Sequence, residues 1–312
     1  MTGSHGFVGS NLIESLDPNY EIIRYDAREN KPLPECDVII HLAGLAHDIK
    51  KSDGRWKKED YFRVNTELTK NIYDRFLVSS AKKFIFFSSI KALDNDTPYA
   101  KSKKAAEDYI LCHTDIADDT EKRWSRIGEL ENNSQSVIDN TEWSSQEKSV
   151  YILRPCMIHG KGNKGNLNLL VKWVKKGWPW PLAAFENKRS FASMDNVSFI
   201  VNELINRDIP SGIYDICDDE AVSTNELIEL ICKCMGKKAH LCRIPKGLMI
   251  VIAQVGDVLH LPLNTERLEK LTENYIISNE EIKLAMSVER LSVDAKEGLR
   301  QSIMSMINED KQ

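Results

Sequence analysis

The chain has 312 residues, 42 of them Lys or Arg and 47 Asp or Glu, for a net charge of −5. That length gives room for about two domains and a sizeable core, and the acidic balance argues against a nucleic-acid surface. Seven cysteines without framework spacing fit a reducing cytoplasm, and neither a secretory leader nor a membrane span is expected, because the apolar stretch 247–255 is too short to cross a bilayer.

The run Thr2-Gly3-Ser4-His5-Gly6-Phe7-Val8-Gly9 leads directly into residues 10–16, which read as a helix with an apolar stripe. Glycines at this spacing allow a tight turn, close backbone approach to a pyrophosphate and tight helix packing. The helix N-terminus then offers free N–H groups to the phosphates. An ordinary glycine-rich loop is the alternative. The motif requires a hydrophobic strand ahead of the glycines, and only Met1 stands there, so the first strand of the sheet is expected to be missing. Residues 21–26 read as the next strand and end in Asp26. A carboxylate roughly 20 residues past the glycines binds the adenosine ribose hydroxyls and disfavours a 2′-phosphate. NAD is therefore expected over NADP, with Arg24 and Arg28 close enough to oppose that preference, and an exposed strand-end acid as the plainer reading.

Further strands are expected at 37–43, 83–89 and 150–154. Their alternation with helices predicts a parallel sheet flanked by helices. Before the last of these strands, Thr97 as cap and Pro98 in the first turn start a helix that carries Tyr99-Ala100-Lys101-Ser102-Lys103. Tyr99 and Lys103 are four residues apart and share a helix face. A lysine ammonium beside a phenol favours the phenolate, lowering a pKa that is about 10 in water towards a base useful near neutral pH. Ser89, ending an apolar run, is placed to hydrogen-bond the same substrate oxygen. Tyr-x-x-x-Lys alone is a weak pattern. Behind a glycine turn and a serine pair, Ser89, Tyr99 and Lys103 describe a hydride-transfer site on a dinucleotide-binding fold.

Residues 113–148 are polar, acid-rich and long for a helix-to-strand connection, so an exposed insertion is expected, with Trp124 and Trp143 packing part of it. The expected division is a Rossmann-type NAD-binding domain over 1–158 and a smaller α-rich substrate domain over 159–312, with segments of the second returning to the first. Ser223-x-x-Glu226 reads as a capping box. Cys232-Lys233-Cys234 lacks a second pair at metal-ligand spacing and reads as helix packing, so no metal site is expected. The stretch 247–255 is expected to pack against the other domain or a partner subunit.

With these residues assembled, the chain resembles the extended short-chain dehydrogenase/reductase family of the NAD-dependent epimerase/dehydratase type over nearly its whole length. The resemblance rests on Thr2-Gly3-x-x-Gly6-Phe7-x-Gly9, His41-Leu42-Ala43-Gly44, Asn65-x-x-x-Thr69, Ser88-Ser89, Tyr99-x-x-x-Lys103 and Arg154-Pro155. The segments 153–160, 164–167 and Arg189-Ser190-Phe191 are similar to the UDP-glucose 4-epimerase-like branch, which also holds 4-keto-reductases of UDP-linked deoxy-amino sugars.

The resemblance implies a doubly wound parallel sheet, NAD as cofactor, a UDP-sugar as substrate and a homodimer in the cytoplasm, with a role in surface-polysaccharide precursor synthesis. It implies cofactor contacts at Gly3, Gly6, Phe7, Val8, Gly9, Asp26, Leu42, Ala43, Gly44, Asn65 and Lys103. Tyr99 is the implied acid/base on the sugar C4 hydroxyl, Ser89 shares its hydrogen bond, and Lys103 holds the nicotinamide ribose. Asn166 and Arg189 are the implied contacts to the nucleotide diphosphate, Arg267 a weaker one, and a guanidinium fork suits phosphate oxygens. Ala100 replaces a common glycine, and Met157 stands where many epimerases carry a sugar-contacting asparagine. Ile90-Lys91 replaces the Asp-Glu pair that 4,6-dehydratases use, which argues against dehydration. Three functions are therefore carried: C4 epimerisation of a UDP-hexose or UDP-N-acetylhexosamine, one-way 4-keto reduction with NAD(P)H, and a non-catalytic nucleotide-binding scaffold. No nucleic-acid or membrane partner is expected.

Overall fold

The computed structural model describes residues 1–28, 31–45, 56–94, 97–114, 148–163, 165–259 and 264–309. Nearly all of the expected insertion at 113–148, with Trp124 and Trp143, lies outside the described residues. The chain divides into two compact units. The first is Met1–Cys156, Ser198–Ile216 and Asn279–Glu289, and the second Met157–Val197, Cys217–Ser278 and Arg290–Gln312.

In the first unit, strands β1 (Val38–His41), β2 (Lys83–Phe87) and β3 (Ser149–Pro155) pair in parallel, and β3 pairs in turn with the strand Gly212–Ile216. Sheets covered on both faces use continuous apolar runs rather than alternation. β2 shows this directly, since Phe84, Ile85 and Phe86 are all fully buried. Phe84 and Phe86 sit on the face that packs with Ile72, Tyr73 and Phe76 of the helix Leu68–Val78 and with Ala106 and Ile110 of the helix Pro98–Leu111. Each such ring contributes about 1.5–3 kcal/mol by leaving water.

The strand expected at 21–26 is not formed as a ladder. Pairing there is confined to the Met1–Thr2 segment: Tyr25 N donates to Met1 O at 2.9 Å and the terminal ammonium donates to Ile23 O at 2.8 Å. Thr2 bridges Tyr25 on one side and His41 on the other, both in parallel. Beyond these pairings residues 21–26 form no further bridge, and the apolar, strand-like sequence stays irregular. The spatial order is therefore Tyr25, Thr2, β1, β2, β3 and the Gly212–Ile216 strand. The chain steps outwards in opposite directions from Thr2, to Tyr25 and to β1, and such a reversal of strand order marks where ligands bind in open α/β sheets.

The second unit is helical, with helices Asn166–Lys175, Thr224–Cys234, Lys246–Leu259, Thr265–Thr272 and Ala295–Glu309. Two short strand pairs accompany them, Met157–His159 with Phe191–Ser193 and Lys188–Arg189 with Val222–Ser223. The core gathers Leu167, Val171, Leu227, Ile231, Leu299 and Ile303. Ser223 and Glu226 form the reciprocal cap expected of them: Glu226 N donates to Ser223 Oγ at 3.1 Å and Ser223 N to Glu226 Oε2 at 2.9 Å.

Candidate active site

The glycine turn follows Thr2 directly. Gly3 has φ +64°, and a Cβ there would lie 2.7 Å from Ala43 N, so only glycine lets this turn lie against the segment after β1. A Cβ on Gly9 would meet Gly3 O at 2.4 Å, which fixes how tightly the helix Phe7–Ser15 closes on the turn. Gly6 is the N-cap of that helix and brings no side chain to its first turn. The first N–H groups, those of Phe7 and Val8 among them, have no partner four residues back in a helix. Together these features make a cradle suited to a dinucleotide pyrophosphate.

Thr2 links this turn to the next loop. Its Oγ1 accepts from Leu42 N and Ala43 N, each at 3.2 Å, and is hydrogen-bonded to His41 Nδ1 at 2.8 Å. His41 is fully buried, reaches Thr69 Oγ1 with its other nitrogen at 3.0 Å and stacks on Phe84 and Phe86. Burial lowers its pKa to about 3, with the Lys103 charge acting in the same direction, so the ring stays neutral. The sequence pattern flagged His41 only as part of a motif. Its role here is to hold the strand end against the glycine turn.

Asn65 ties the same loop to the helix Pro98–Leu111. It lies in the π-helical stretch Phe62–Glu67 and is completely buried. Its Oδ1 accepts from Leu45 N at 2.7 Å, and its Nδ2 donates to Leu45 O at 3.2 Å and to Ser102 Oγ at 2.9 Å. Thr66 Oγ1 also donates to Ser102 O at 2.8 Å. These bonds tie Leu45 to Ser102, which stands between Tyr99 and Lys103 in sequence. π-Helical turns recur at functional sites because they re-aim a side chain without ending the helix.

Thr97 caps the helix Pro98–Leu111 by accepting from Ala100 N at 3.1 Å. Tyr99 and Lys103 are one turn apart on its buried side. Lys103 Nζ donates to Phe87 O at 2.8 Å, at the carboxyl end of β2, and lies 4.9 Å from the centre of the Phe86 ring. A Cβ on Gly44 would lie 3.2 Å from the same ammonium and 3.0 Å from Asn65 Oδ1, so a glycine lets this loop approach both side chains closely. Burial lowers the Lys103 pKa to about 8, and Glu107 opposes that shift. Ser89 follows β2 and caps the short helix Ile90–Leu93 by accepting from Lys91 N at 3.3 Å. The structure thus brings Ser89, Tyr99, Lys103 and the 42–45 loop to the carboxyl edge of one sheet.

One member of this arrangement carried no separate sequence signal. Glu107, a further turn beyond Lys103, is fully buried and forms a forked ion pair with Arg154 of β3, at 2.6 Å between Oε2 and Nη2 and 3.0 Å between Oε1 and Nε. Ser88 Oγ donates to the same carboxylate. The Arg154-Pro155 motif is thereby joined to the serine pair. Helical spacing from Tyr99 and Lys103 was the available clue to Glu107.

Asp26 is partly exposed, and Arg28 binds it by a fork with Nε to Oδ1 at 2.9 Å and Nη2 to Oδ2 at 2.6 Å. Those hydrogen bonds lower its pKa to about 2. The acid and the arginine that oppose one another over cofactor preference therefore sit together. In the second unit, Arg189 lies on a two-residue strand bridged to Tyr275, half-buried, and desolvation pushes its pKa down. Asn166 opens the helix Asn166–Lys175, and Arg267 is exposed on the helix Thr265–Thr272. Among the described residues no group of His, Cys, Asp and Glu is arranged to hold a metal.

Residues 23–243 match the 3-beta hydroxysteroid dehydrogenase/isomerase family. The chain belongs to that family, within the extended short-chain dehydrogenases/reductases. Among its relatives, a UDP-glucose 4-epimerase of Vibrio cholerae is 28% identical over 275 residues, covering 78% of each chain. An N-acetyl-alpha-D-glucosaminyl-diphospho-ditrans,octacis-undecaprenol 4-epimerase of Escherichia coli O157:H7 is 23% identical over 282 residues, covering 83% of this chain and 78% of the relative. The solved structure of MoeE5 in complex with UDP-glucose and NAD superimposes with a TM-score of 0.66 at 17% identity, covering 100% of this chain and 98% of that one. This extended dehydrogenase/reductase thus shares the Rossmann-type fold of that neighbour.

Proposed function

We propose that the chain is an NAD-dependent 4-epimerase of a UDP-hexose or UDP-N-acetylhexosamine. The observation that carries this is the buried Tyr99–Lys103 face of the helix Pro98–Leu111, with the ammonium held by Phe87 O beside Gly44. The two 4-epimerase relatives support the substrate class and the reaction. Gly3, Gly6, Phe7, Val8 and Gly9 would hold the pyrophosphate, Leu42, Ala43 and Gly44 would border the dinucleotide, and Asp26 would meet the adenosine ribose. Bound there, NAD supplies reversible hydride transfer at the sugar C4.

Tyr99 takes the C4 hydroxyl proton as the ketone forms and returns it when the hydroxyl is restored on the other face. Lys103, as an ammonium, favours the tyrosinate and would hold the nicotinamide ribose of bound NAD. Ser89 holds the reacting oxygen by its hydroxyl. Asn65 acts through the loop and helix it joins, since its amide is engaged with Leu45 and Ser102. Asn166, Arg189 and Arg267 are the proposed contacts to the nucleotide diphosphate. Conversion of UDP-glucose to UDP-galactose, and of the N-acetylated pair, tests the reading. Tyr99→Phe is expected to lower kcat about 10²–10⁴-fold, the range for loss of a general acid/base. Unchanged turnover in that variant would remove Tyr99 from the mechanism. NAD retained through purification and released on denaturation marks an epimerase, whereas stoichiometric consumption of NAD(P)H marks a 4-keto reductase.

A further inference from the structure

The helix Lys246–Leu259 turns its apolar side outwards. Met249, Ala253 and Gly256 are its buried residues, one stripe against the second unit's core. On the opposite side Leu248, Val251, Val255 and Val258 follow one another at helical spacing and are 52%, 53%, 47% and 78% exposed. Isolated exposed aliphatics are ordinary, but a continuous stripe is not. No helix among the described residues is long and apolar enough to cross a membrane.

The chain leading into this helix is basic although the whole molecule is acidic, whereas acids follow, Asp257 near the helix's end and Glu266 and Glu269 in the next helix. Residues 237–246 hold Lys237, Lys238, Arg243 and Lys246 and no acid. That segment is fastened along residues 180–182: Trp180 N donates to His240 O, Cys242 N donates to Trp180 O, both at 2.8 Å, and Leu182 bridges Arg243. Just before it, Lys172, Lys175 and Lys176 close the helix Asn166–Lys175, and Lys237 Nζ donates to Lys175 O at 2.8 Å. Trp178 stands in this loop half-exposed, with the Lys176 ammonium 4.5 Å from its ring centre. Exposed aliphatic residues on a helix, a lysine- and arginine-rich segment leading into it and a half-exposed indole are components of an interfacial membrane helix.

We propose that the Lys246–Leu259 helix and the basic segment leading into it dock the protein on an anionic lipid bilayer. The aliphatic stripe enters the headgroup boundary while the cations meet lipid phosphates, each adding attraction that salt screens. A second copy of the chain fits this face less well. A two-fold contact places the same patch on both sides, so the basic segments would face one another. The proposal goes beyond the expectation of no membrane partner, which rested on the lack of a spanning segment, and it stands independently of the sugar substrate.

The test is co-sedimentation of the full chain with phosphatidylcholine vesicles, with and without phosphatidylglycerol. Anionic vesicles are expected to carry down several-fold more protein, and added salt to release it. Val251→Glu with Val255→Glu is expected to cut binding at least about tenfold while leaving the melting temperature and solution turnover unchanged, since both side chains are exposed. Trp178 emission is expected to shift blue on vesicle addition, a shift missing in Trp178→Phe. Equal sedimentation with neutral and anionic vesicles overturns the proposal. So does a soluble dimer that never binds vesicles and that the double glutamate variant dissociates, which assigns the face to a second copy.

Discussion

Two helices of 14 residues each make opposite use of their sequences. Pro98–Leu111 carries three lysines and two acids within its middle turns, yet Tyr99, Ser102, Lys103 and Glu107 are all buried. Lys246–Leu259 is almost wholly apolar between its ends, yet only three of its residues are buried. Hydrophobicity alone would exchange their positions. A helix departs from that rule where polar groups inside have fixed partners, or where apolar groups outside have work other than packing. In the first helix three buried polar groups have partners in place: Lys103 with Phe87 O, Ser102 with Asn65, Glu107 with Arg154 and Ser88.

Removing one of those partners is the strongest way to break the contrast. Glu107→Leu leaves Arg154 buried with its counter-charge gone, and breaking such a pair costs about 3–5 kcal/mol. The midpoint of denaturant unfolding is expected to fall accordingly. Adding Arg154→Met to the same protein is expected to recover most of the loss, because replacing both charges by apolar groups removes the unpaired one. If the double variant is no better than the single, the carboxylate is held mainly by Ser88 and not by the arginine.

Lys103 gives a smaller effect with a definite pH signature. Its pKa falls from 10.5 to about 8 on folding, so the folded state disfavours the ammonium. That difference corresponds to about 3 kcal/mol of stability withheld at neutral pH. Between about pH 8 and 10.5 the unfolded chain binds more protons, so stability is expected to rise with pH across that window and level off above it. Lys103→Met is expected to flatten the rise and to abolish turnover. Activity in the parent is expected to fall as pH rises through about 8, because the ammonium that favours the tyrosinate is lost. A stability curve that is flat in the parent across this window would show that Lys103 is not desolvated.

The catalytic helix was legible because its chemistry is local. Thr97 and Pro98 announce its start, and Tyr99 and Lys103 announce their shared face by spacing alone. β2 was legible for the same kind of reason, as a continuous apolar run. What the sequence hid are partnerships across long separations. Glu107 and Arg154 are 47 residues apart, and Thr2 meets Leu42 and Ala43 some 40 residues on. Residues 21–26 have the composition of a strand, but a strand also needs a neighbour, and Met1–Thr2 offers one bridge. The Asn65-x-x-x-Thr69 pattern was visible, whereas the turn of Asn65 inwards to Leu45 and Ser102 depends on a π-helical register that no residue type specifies. For Lys246–Leu259 the apolar periodicity gave the helix but not its outward side, since buried and exposed stripes have the same spacing.

The smallest effect sharpens the contrast within that last helix. Met249 and Val255 lie on opposite sides of it, the first 2% exposed and the second 47%. Met249→Ala empties a packed position and is expected to cost about 2–5 kcal/mol. Val255→Gln replaces an exposed β-branched residue by a better helix former, and is expected to change stability by less than about 0.5 kcal/mol. Thermal melts of the two variants read the difference directly. A loss above about 1 kcal/mol for Val255→Gln would mean that the stripe is already covered in the free protein, since truly exposed sites seldom cost that much. A neutral result leaves the stripe contributing nothing to folding. Side chains that fold the protein no better than glutamine, yet keep an apolar face in water, are accounted for by what they meet outside it.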